Sequence, residues 1–446
     1  MKQWIAIMLS VIMALTLVGC SGAKKTEGNA SLLTTVQYPE TVAYPEESDY
    51  PDKEEYTKAL DAWMECTERE SERMLQVQEY AGEMETFFAR SIPEFLKDTD
   101  GGNKVYSPLN VYMALAMLAE TTDGSSRQQI LKLLGIETVE ELRKRVKNIW
   151  EEVYSNDRAI SILADSVWMD ADIDYKQEVL DILAENYYAD AFQGKMGSKE
   201  YDKALQDWVN EKTGNLLADQ ALDLSFAPDT VLGLASTIYF QVKWSHEFEK
   251  EQTKQEKFHG VEGDITCEFM KQEIDQDYYW GDKFAAVAIP LSGNNYMWFI
   301  LPDEGITPEM LLEEEQVMEL LLHSREWENQ EYLTVSVEIP KFDVQSGMDL
   351  KEGLSSLGVR DVFEQDDSDF TPLTEEKVFL SQVNHAVRTA IDEEGVTGAA
   401  YTVVQGETAG PPTEKKIDFV VDRPFLFVVT GMQGIPLFTG IVNEPG

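Results

Sequence analysis

The sequence predicts an α+β fold, because helical and strand patterns occupy different parts of the chain. Apolar residues recur at helical spacing between Glu79 and Asn186. From Val231 onward they alternate or form short β-branched runs, which are typical of strands. Hydrophobic residues make up 43% of the 446 residues. That content is enough for one large mixed domain with a sizeable core.

The N-terminus has the pattern of a bacterial lipoprotein signal. Lys2 supplies the positive start, and an apolar run follows from Trp4 to Val18, too short for a membrane span and typical of a signal peptide. The ending Leu17–Cys20 resembles a lipobox, which implies that residues 1–19 are removed and that Cys20 is diacylated. An uncleaved anchor or an ordinary signal peptide is the alternative. The predicted location is the bacterial cell surface, with the lipid as the membrane anchor.

Two further segments precede the predicted domain. Residues 20–52 are polar and interrupted by proline, which predicts an unstructured tether behind the lipidated cysteine. Residues 53–78 return to helical spacing, with Leu60, Trp63 and Leu75 among many charges. This helical N-terminal extension either packs on the body or binds a partner.

Charge and cysteine usage exclude several classes of protein. A formal net charge of -45 argues against binding to nucleic acid or to an anionic membrane surface, since both would repel the chain. Apart from Cys20 the chain has Cys66 and Cys267, which could pair or remain free. No cysteine or histidine spacing suggests a zinc site, and we expect no metal and no cofactor.

The stretch from Asp392 to Thr402 looks like a strand with little bulk on one face. Alternate residues of an extended segment share a face, so Val396, Gly398, Ala400 and Thr402 would lie together. Glycine and alanine contribute little packing to a resident strand. The composition therefore favours a segment that enters a filled space. The following residues, 405–412, are punctuated by Gly and Pro and predict an exposed loop.

From about Glu79 to the C-terminus, the chain resembles the serpins, a family of suicide protease inhibitors. The resemblance implies a serpin domain over residues 79–446, with three β-sheets, surrounding helices and an exposed reactive loop. It rests on the segment just described and on these stretches in the family's order: Asn103–Leu118, Trp208–Leu216, Thr237–Trp244, Ile339–Val344, Asp349–Val359 and Val421–Phe427.

The resemblance also implies a mechanism and a site. A serine protease cleaves the loop, and the new strand inserts into the largest sheet before the acyl-enzyme is hydrolysed. Counting from the hinge places the cleaved bond at Ala409–Gly410, or at Thr408–Ala409 if the Pro411–Pro412 pair sets the register. Small side chains there suit elastase-like enzymes. The implied hinge residues are Glu393, Glu394, Gly395, Val396, Thr397, Gly398, Ala399 and Ala400.

Two further groups of residues are implied to control the opening of the sheet. At the loop's entry point, Lys341 should pair with Glu393 near Trp244. Beneath the sheet, the expected polar cluster comprises Ser107, Asn110, Ser236 and His385. In this cluster an asparagine and a serine have exchanged positions relative to the family's usual pattern. The inventory of donors and acceptors is kept, and we expect a compensated network.

Other functions remain as alternatives. A non-inhibitory serpin acting as a carrier or chaperone would favour bulky or charged inward hinge residues, and this hinge has none, although Val396 is larger than the threonine often found there. A hydrolase using His385 would need a nucleophile motif, and the sequence contains none. Lys415 and Lys416 could attract trypsin-like proteases, but cleavage there would leave too long a segment. We therefore expect a monomeric inhibitor and no enzyme, with the target serine protease as its covalent partner.

Overall fold

A computed structural model describes residues 30–36, 45, 50–153, 160–222, 224–228, 230–381, 383–396 and 415–446. The predicted signal peptide, Cys20 and residues 397–414 lie outside these ranges. The α-helices of the described chain are α1 Lys53–Glu83, α2 Glu85–Leu96, α3 Pro108–Thr121, α4 Gly124–Leu134, α5 Val139–Val153, α6 Gln177–Asn186, α7 Lys199–Lys212, α8 Ala218–Ala221, α9 Pro308–Leu312, α10 Glu315–His323 and α11 Lys351–Ser356.

The strands lie mainly in the second half of the chain, as the alternation predicts. Their bounds are β1 Ser31–Thr34, β2 Lys104–Tyr106, β3 Ile160–Asp170, β4 Ala189–Gly194, β5 Leu232–Lys243, β6 Lys254–Gly260, β7 Gly263–Trp280, β8 Phe284–Leu291, β9 Asn295–Pro302, β10 Gln330–Pro340, β11 Phe342–Asp349, β12 Asn384–Ile391, β13 Gly395–Val396, β14 Lys416–Val420, β15 Phe425–Thr430 and β16 Pro436–Val442. The predicted α+β class is confirmed.

Local sequence signals set the ends of several helices. Helix α4 begins where the Asp123 carboxylate accepts a hydrogen bond from the Gly124 amide, at 2.9 Å. It ends at Gly135, whose φ of 69° is the left-handed conformation that favours glycine at this position. Helix α3 starts with Pro108 in its first turn. All of α3 except Ala114 is buried, which is typical of a helix at the centre of a core.

A seven-stranded sheet holds the predicted hinge. Its order is β1-β4-β3-β5-β13-β12-β11. Strand β13 has two residues, whereas its neighbours β5 and β12 have twelve and eight. Because β5 and β12 both pair antiparallel with β13, they run parallel to each other. Among the described residues, only the two of β13 lie between β5 and β12 and pair with both.

The remaining strands form a nine-stranded sheet with two portions. Strands β14, β10, β7 and β6 make one portion, and β8, β9, β15, β16 and β2 make the other. They are joined through three residue pairs between the end of β7, at Tyr278–Trp280, and β8. The three sheets implied by the resemblance thus correspond to the seven-stranded sheet and to these two portions.

The N-terminal segments differ in detail from the sequence-based boundaries. Helix α1 continues from Lys53 to Glu83, so there is no break between the predicted extension 53–78 and the body. No proline interrupts this stretch. Within the predicted tether, Ser31–Thr34 forms β1, which pairs antiparallel with β4 at the edge of the seven-stranded sheet. The Val36 amide also donates to the Asp190 carboxylate, at 3.2 Å.

Helix α1 is attached to the body through its second half. Arg73 contacts Glu151 at 3.1 Å and Glu152 at 3.2 Å, both on α5. Cys66, on the first half of α1, and the buried Cys267 are both free thiols. Within the described ranges, no helix is both long and apolar enough to cross a membrane.

Candidate functional site

The hinge enters the seven-stranded sheet through a tight turn. The Asp392 carboxylate accepts hydrogen bonds from the amides of Glu394, at 2.8 Å, and Gly395, at 3.1 Å. The Asp392 amide donates to the Gly395 carbonyl at 3.0 Å. This turn aims the chain into the space between β5 and β12, where Val396 lies opposite Val242 and Ile391.

Gly395 is required where the hinge meets β5. A Cβ added at this position would lie 2.1 Å from the carbonyl oxygen of Val242, closer than any side chain allows. The next residue, Val396, is 1% exposed and faces the main core. Val396 therefore lies on the inward face of the seven-stranded sheet. The remaining hinge residues, Thr397, Gly398, Ala399 and Ala400, lie outside the described ranges.

An ion-pair network fastens the entry point. Lys341 Nζ lies 3.3 Å from a carboxylate oxygen of Glu393 and 3.1 Å from one of Glu268. Burial acts to lower the pKa of Lys341, but hydrogen bonds to Glu268 and Glu393 raise it overall. The Thr253 hydroxyl donates to Glu393 at 2.8 Å. The pair expected between Glu393 and Lys341 is thus formed, with further partners that the sequence did not indicate.

Trp244 also fastens the hinge turn, through its indole and its backbone amide. Its indole Nε1 donates to the Asp392 carbonyl at 2.8 Å, and its amide donates to the Glu394 carbonyl at 3.1 Å. The Phe248 amide donates to the Glu393 carbonyl at 2.9 Å. The outer acid, Glu394, pairs with Lys250 at 2.7 Å in a solvent-exposed position. Backbone and side-chain bonds together hold the turn against the end of β5.

The predicted polar cluster is only partly connected. The Ser107 amide donates to His385 Nε2 at 3.1 Å, and the Ser107 hydroxyl donates to the Leu437 carbonyl at 2.7 Å. Both amide atoms of Asn110 and the hydroxyl of Ser236 are buried and have no hydrogen-bond partner among the described residues. Exchanging the two residue types preserves the inventory of polar groups, but the described residues do not form the compensated network that we expected.

His385 does not have the environment of a general base. Burial lowers its pKa to about 4, so the imidazole is neutral at physiological pH. Its Nε2 accepts a hydrogen bond from a backbone amide rather than from a hydroxyl. The nearby Ser107 hydroxyl is directed to a carbonyl oxygen. Among the described residues, Ser107 therefore does not make the hydroxyl-to-imidazole bond that activates a serine nucleophile.

A buried carboxyl group that the sequence motifs did not indicate lies beside this cluster. Asp165 on β3 is paired in register with Ser236 on β5 and is 1% exposed. Neither of its oxygens has a hydrogen-bond partner in the described part of the chain. Burial raises its pKa to about 7, and the neighbouring Ser236 hydroxyl opposes this shift. The available signal was the alternation of Leu163, Asp165 and Val167, which places an acid on an apolar face.

The far end of the loop is anchored in the other sheet. Strand β14 starts at Lys416 and pairs in parallel with β10. Lys416 is 2.5 Å from Glu273, and Lys415 pairs with Glu331. The residues at the expected cleavage site, Thr408, Ala409 and Gly410, lie outside the described ranges. Among the residues that are described, no group of three or more His, Cys, Asp or Glu could hold a metal ion.

Comparisons with known proteins match most of this chain. The family model described as serpin, serine protease inhibitor, matches residues 83–445. Alpha-1-antiproteinase S of Cavia porcellus is 28% identical over 370 residues, covering 80% of this chain and 89% of that protein. Leukocyte elastase inhibitor of Sus scrofa is 27% identical over 377 residues, covering 81% and 98%. The native-state crystal structure of the thermophilic serpin tengpin superposes with a TM-score of 0.73 at 25% identity, covering 82% of this chain and 94% of that one.

Proposed function

The chain belongs to the serpin family, and we propose that it is a suicide inhibitor of serine proteases. The target proteases are those that cleave after residues with small side chains. The observation that carries the proposal is the two-residue strand β13, which starts between β5 and β12 and pairs with both. The residues that follow it include several with small side chains, in an order that suits an extended strand. A protease that cuts the loop would free this segment to continue the strand.

Simple energetics support strand insertion as the driving force. A central strand of about fifteen residues gains backbone hydrogen bonds on both sides, each worth roughly 0.5 to 1.5 kcal/mol net, and thus on the order of 10 to 30 kcal/mol in all. This equals or exceeds a domain stability of about 5 to 15 kcal/mol. The same strand spans roughly 50 Å, comparable with the size of a small protease. The uncut form is then a kinetic trap, and cleavage releases it.

The residues near the expected cleavage site support an elastase-like target. Ala409, or Thr408 in the alternative register, would fit a shallow specificity pocket. Lys415 and Lys416 form ion pairs with glutamates at the start of β14. We therefore expect trypsin-like enzymes to cleave poorly after these lysines. One relative named above is an elastase inhibitor, at 27% identity. We further propose that diacylation of Cys20 holds the inhibitor at the bacterial surface.

The decisive experiment is incubation with an elastase-like protease, followed by denaturing electrophoresis and sequencing of the released peptide. We expect a denaturant-stable complex and a C-terminal peptide that begins at Gly410, or at Ala409 if Thr408 is the acyl residue. Ala409→Arg should shift inhibition toward trypsin-like enzymes, because a guanidinium pairs with the carboxylate at the base of their pocket. A peptide beginning at Lys416 or Ile417 in the presence of complex would contradict the proposed specificity.

A second measurement tests the trap itself. The loop-cleaved protein should melt far above the intact protein, since the inserted strand adds bonds that the intact form lacks. Equal melting temperatures before and after cleavage would instead favour the alternative, a non-inhibitory serpin that acts as a carrier or chaperone.

A further inference from the structure

An apolar cavity lies between helix α7 and the outer face of the seven-stranded sheet. Its walls come from β3, α7, the segment that follows α8, β5 and β12. The side chains that matter here are those of Trp168, Leu205, Val209, Phe226, Ala235 and Ala386. The cavity therefore spans both β5 and β12, the two strands between which the hinge enters.

The register of β13 determines which loop residues would reach this cavity. Gly395 pairs with Lys243 and Val396 with Val242, so each step forward on the loop is one step back along β5. Val396 also pairs with Ile391, and the same rule holds along β12. A continued strand would place residue 401 opposite residues 237 and 386, and residue 403 opposite residues 235 and 384.

These four positions all belong to the cavity. Thr237 and Ala235 of β5 line it, as do Ala386 and Asn384 of β12. The faces agree as well, because Val396 points into the main core and odd-numbered loop residues would point to the side of α7. The small Ala235 and Ala386 leave room between the strands, with the hydroxyl of Thr237 and the amide of Asn384 within cross-strand reach.

We propose that this cavity is a binding site for the side chain of Tyr401 once the cut loop has entered the sheet. The proposal rests on the proposed inhibitory function, since it specifies where the inserted strand gains its side-chain contacts. An aromatic ring with one polar end matches a site with apolar walls and a few polar groups at its edge. Val403 would follow Tyr401 into the same space. A small phenol is the corresponding free ligand.

The test compares loop-cleaved proteins and uses p-cresol, the side chain of tyrosine, as the probe. Tyr401→Ala should lower the melting temperature of the cleaved form by about 5 °C while leaving the intact form unchanged. Adding p-cresol to the cleaved variant should restore part of this loss, as an apolar cavity accepts a ligand of matching shape. The matched control is Thr397→Ala, an outward position opposite Gln241, which does not line the cavity. That control should show no rescue by p-cresol.

A second variant tests the cavity from the receptor side. Ala386→Phe fills the space on β12, and it should turn inhibition into simple cleavage because insertion is obstructed. Ala390→Phe, on the same face of β12 but outside the cavity, should inhibit normally. If the cleaved form of Tyr401→Ala melts like the cleaved wild type and p-cresol has no effect, the site is overturned, while the inhibitory function stands. If the wild type gains no stability on cleavage, the inhibitory function itself fails.

Discussion

Replacing Asp165 by asparagine should remove a pH dependence from the stability of the intact protein. Asparagine keeps the shape of the side chain and cannot ionise. Burial raises the pKa of Asp165 to about 7, whereas an aspartate in an unfolded chain titrates near about 3.9. Because the folded-state pKa is the higher one, folding favours the protonated carboxyl. The stabilising contribution is fully present below about pH 4, declines as pH rises toward 7 and is constant above that.

The size of the effect follows from the two pKa values. Their difference corresponds to roughly 4 kcal/mol, of which about 3 kcal/mol falls between pH 5 and pH 8. In a body of this size that amounts to roughly 4 °C in melting temperature. Among the described residues, the Ser236 hydroxyl opposes this shift, and it offsets only part of the burial cost.

The assay is thermal denaturation of the uncleaved protein at several pH values between 5 and 8. The many other carboxylates titrate in both proteins, so the quantity to follow is the wild-type midpoint minus that of Asp165→Asn. This difference should become more negative as the pH rises. The control Ser236→Ala keeps the carboxyl and removes the hydroxyl that lowers its pKa, so its pH dependence should persist. A difference between wild type and Asp165→Asn that stays constant across this range would show that folding does not raise the pKa of Asp165.

Two further predictions concern the hinge and the ion pair between Lys341 and Glu393 at the loop's entry point. Ala400→Arg should convert inhibition into substrate cleavage, because an inward-facing guanidinium would be buried without a partner; full complex formation by this variant would show that the predicted face or register is wrong. Lys341→Ala should promote spontaneous insertion or polymerisation on warming, since it leaves the 8% exposed Glu393 without its main cation. Native gels after prolonged heating measure this, with Lys250→Ala at the exposed Glu394 pair as a control that should behave like the wild type.

Sequence reasoning located the entry site from one local pattern and from the resemblance to the family. The alternation after Asp392 grouped Val396 with Gly398, Ala400 and Thr402 on one face. The resemblance to the family implied the pairing of Lys341 with Glu393. The state of the polar cluster could not be predicted in this way. Whether Asn110 and Ser236 form a hydrogen bond depends on how α3 packs against β5. The sequence shows how many donors and acceptors are present, but it does not show their relative positions. The strand at Ser31–Thr34 was missed for a similar reason, since four residues acquire a strand conformation from the β4 edge rather than from their own pattern.

If the cut loop inserts as proposed, the buried polar groups that lack hydrogen-bond partners among the described residues would gain partners from the inserted strand. In the register that places Tyr401 over the outer cavity, Thr402 would lie opposite Ser236 on β5 and His385 on β12. Its side chain would point inward, toward the face on which His385 is buried. The Ser236 hydroxyl lacks a partner among the described residues, and the Thr402 hydroxyl can both donate to it and accept from it. A buried polar group without a hydrogen bond costs about 1 to 3 kcal/mol. Insertion would therefore remove the free-energy cost of the unpaired Ser236 hydroxyl, in addition to forming the backbone hydrogen bonds of the new strand. The polar cluster would then favour the inserted state over the intact one.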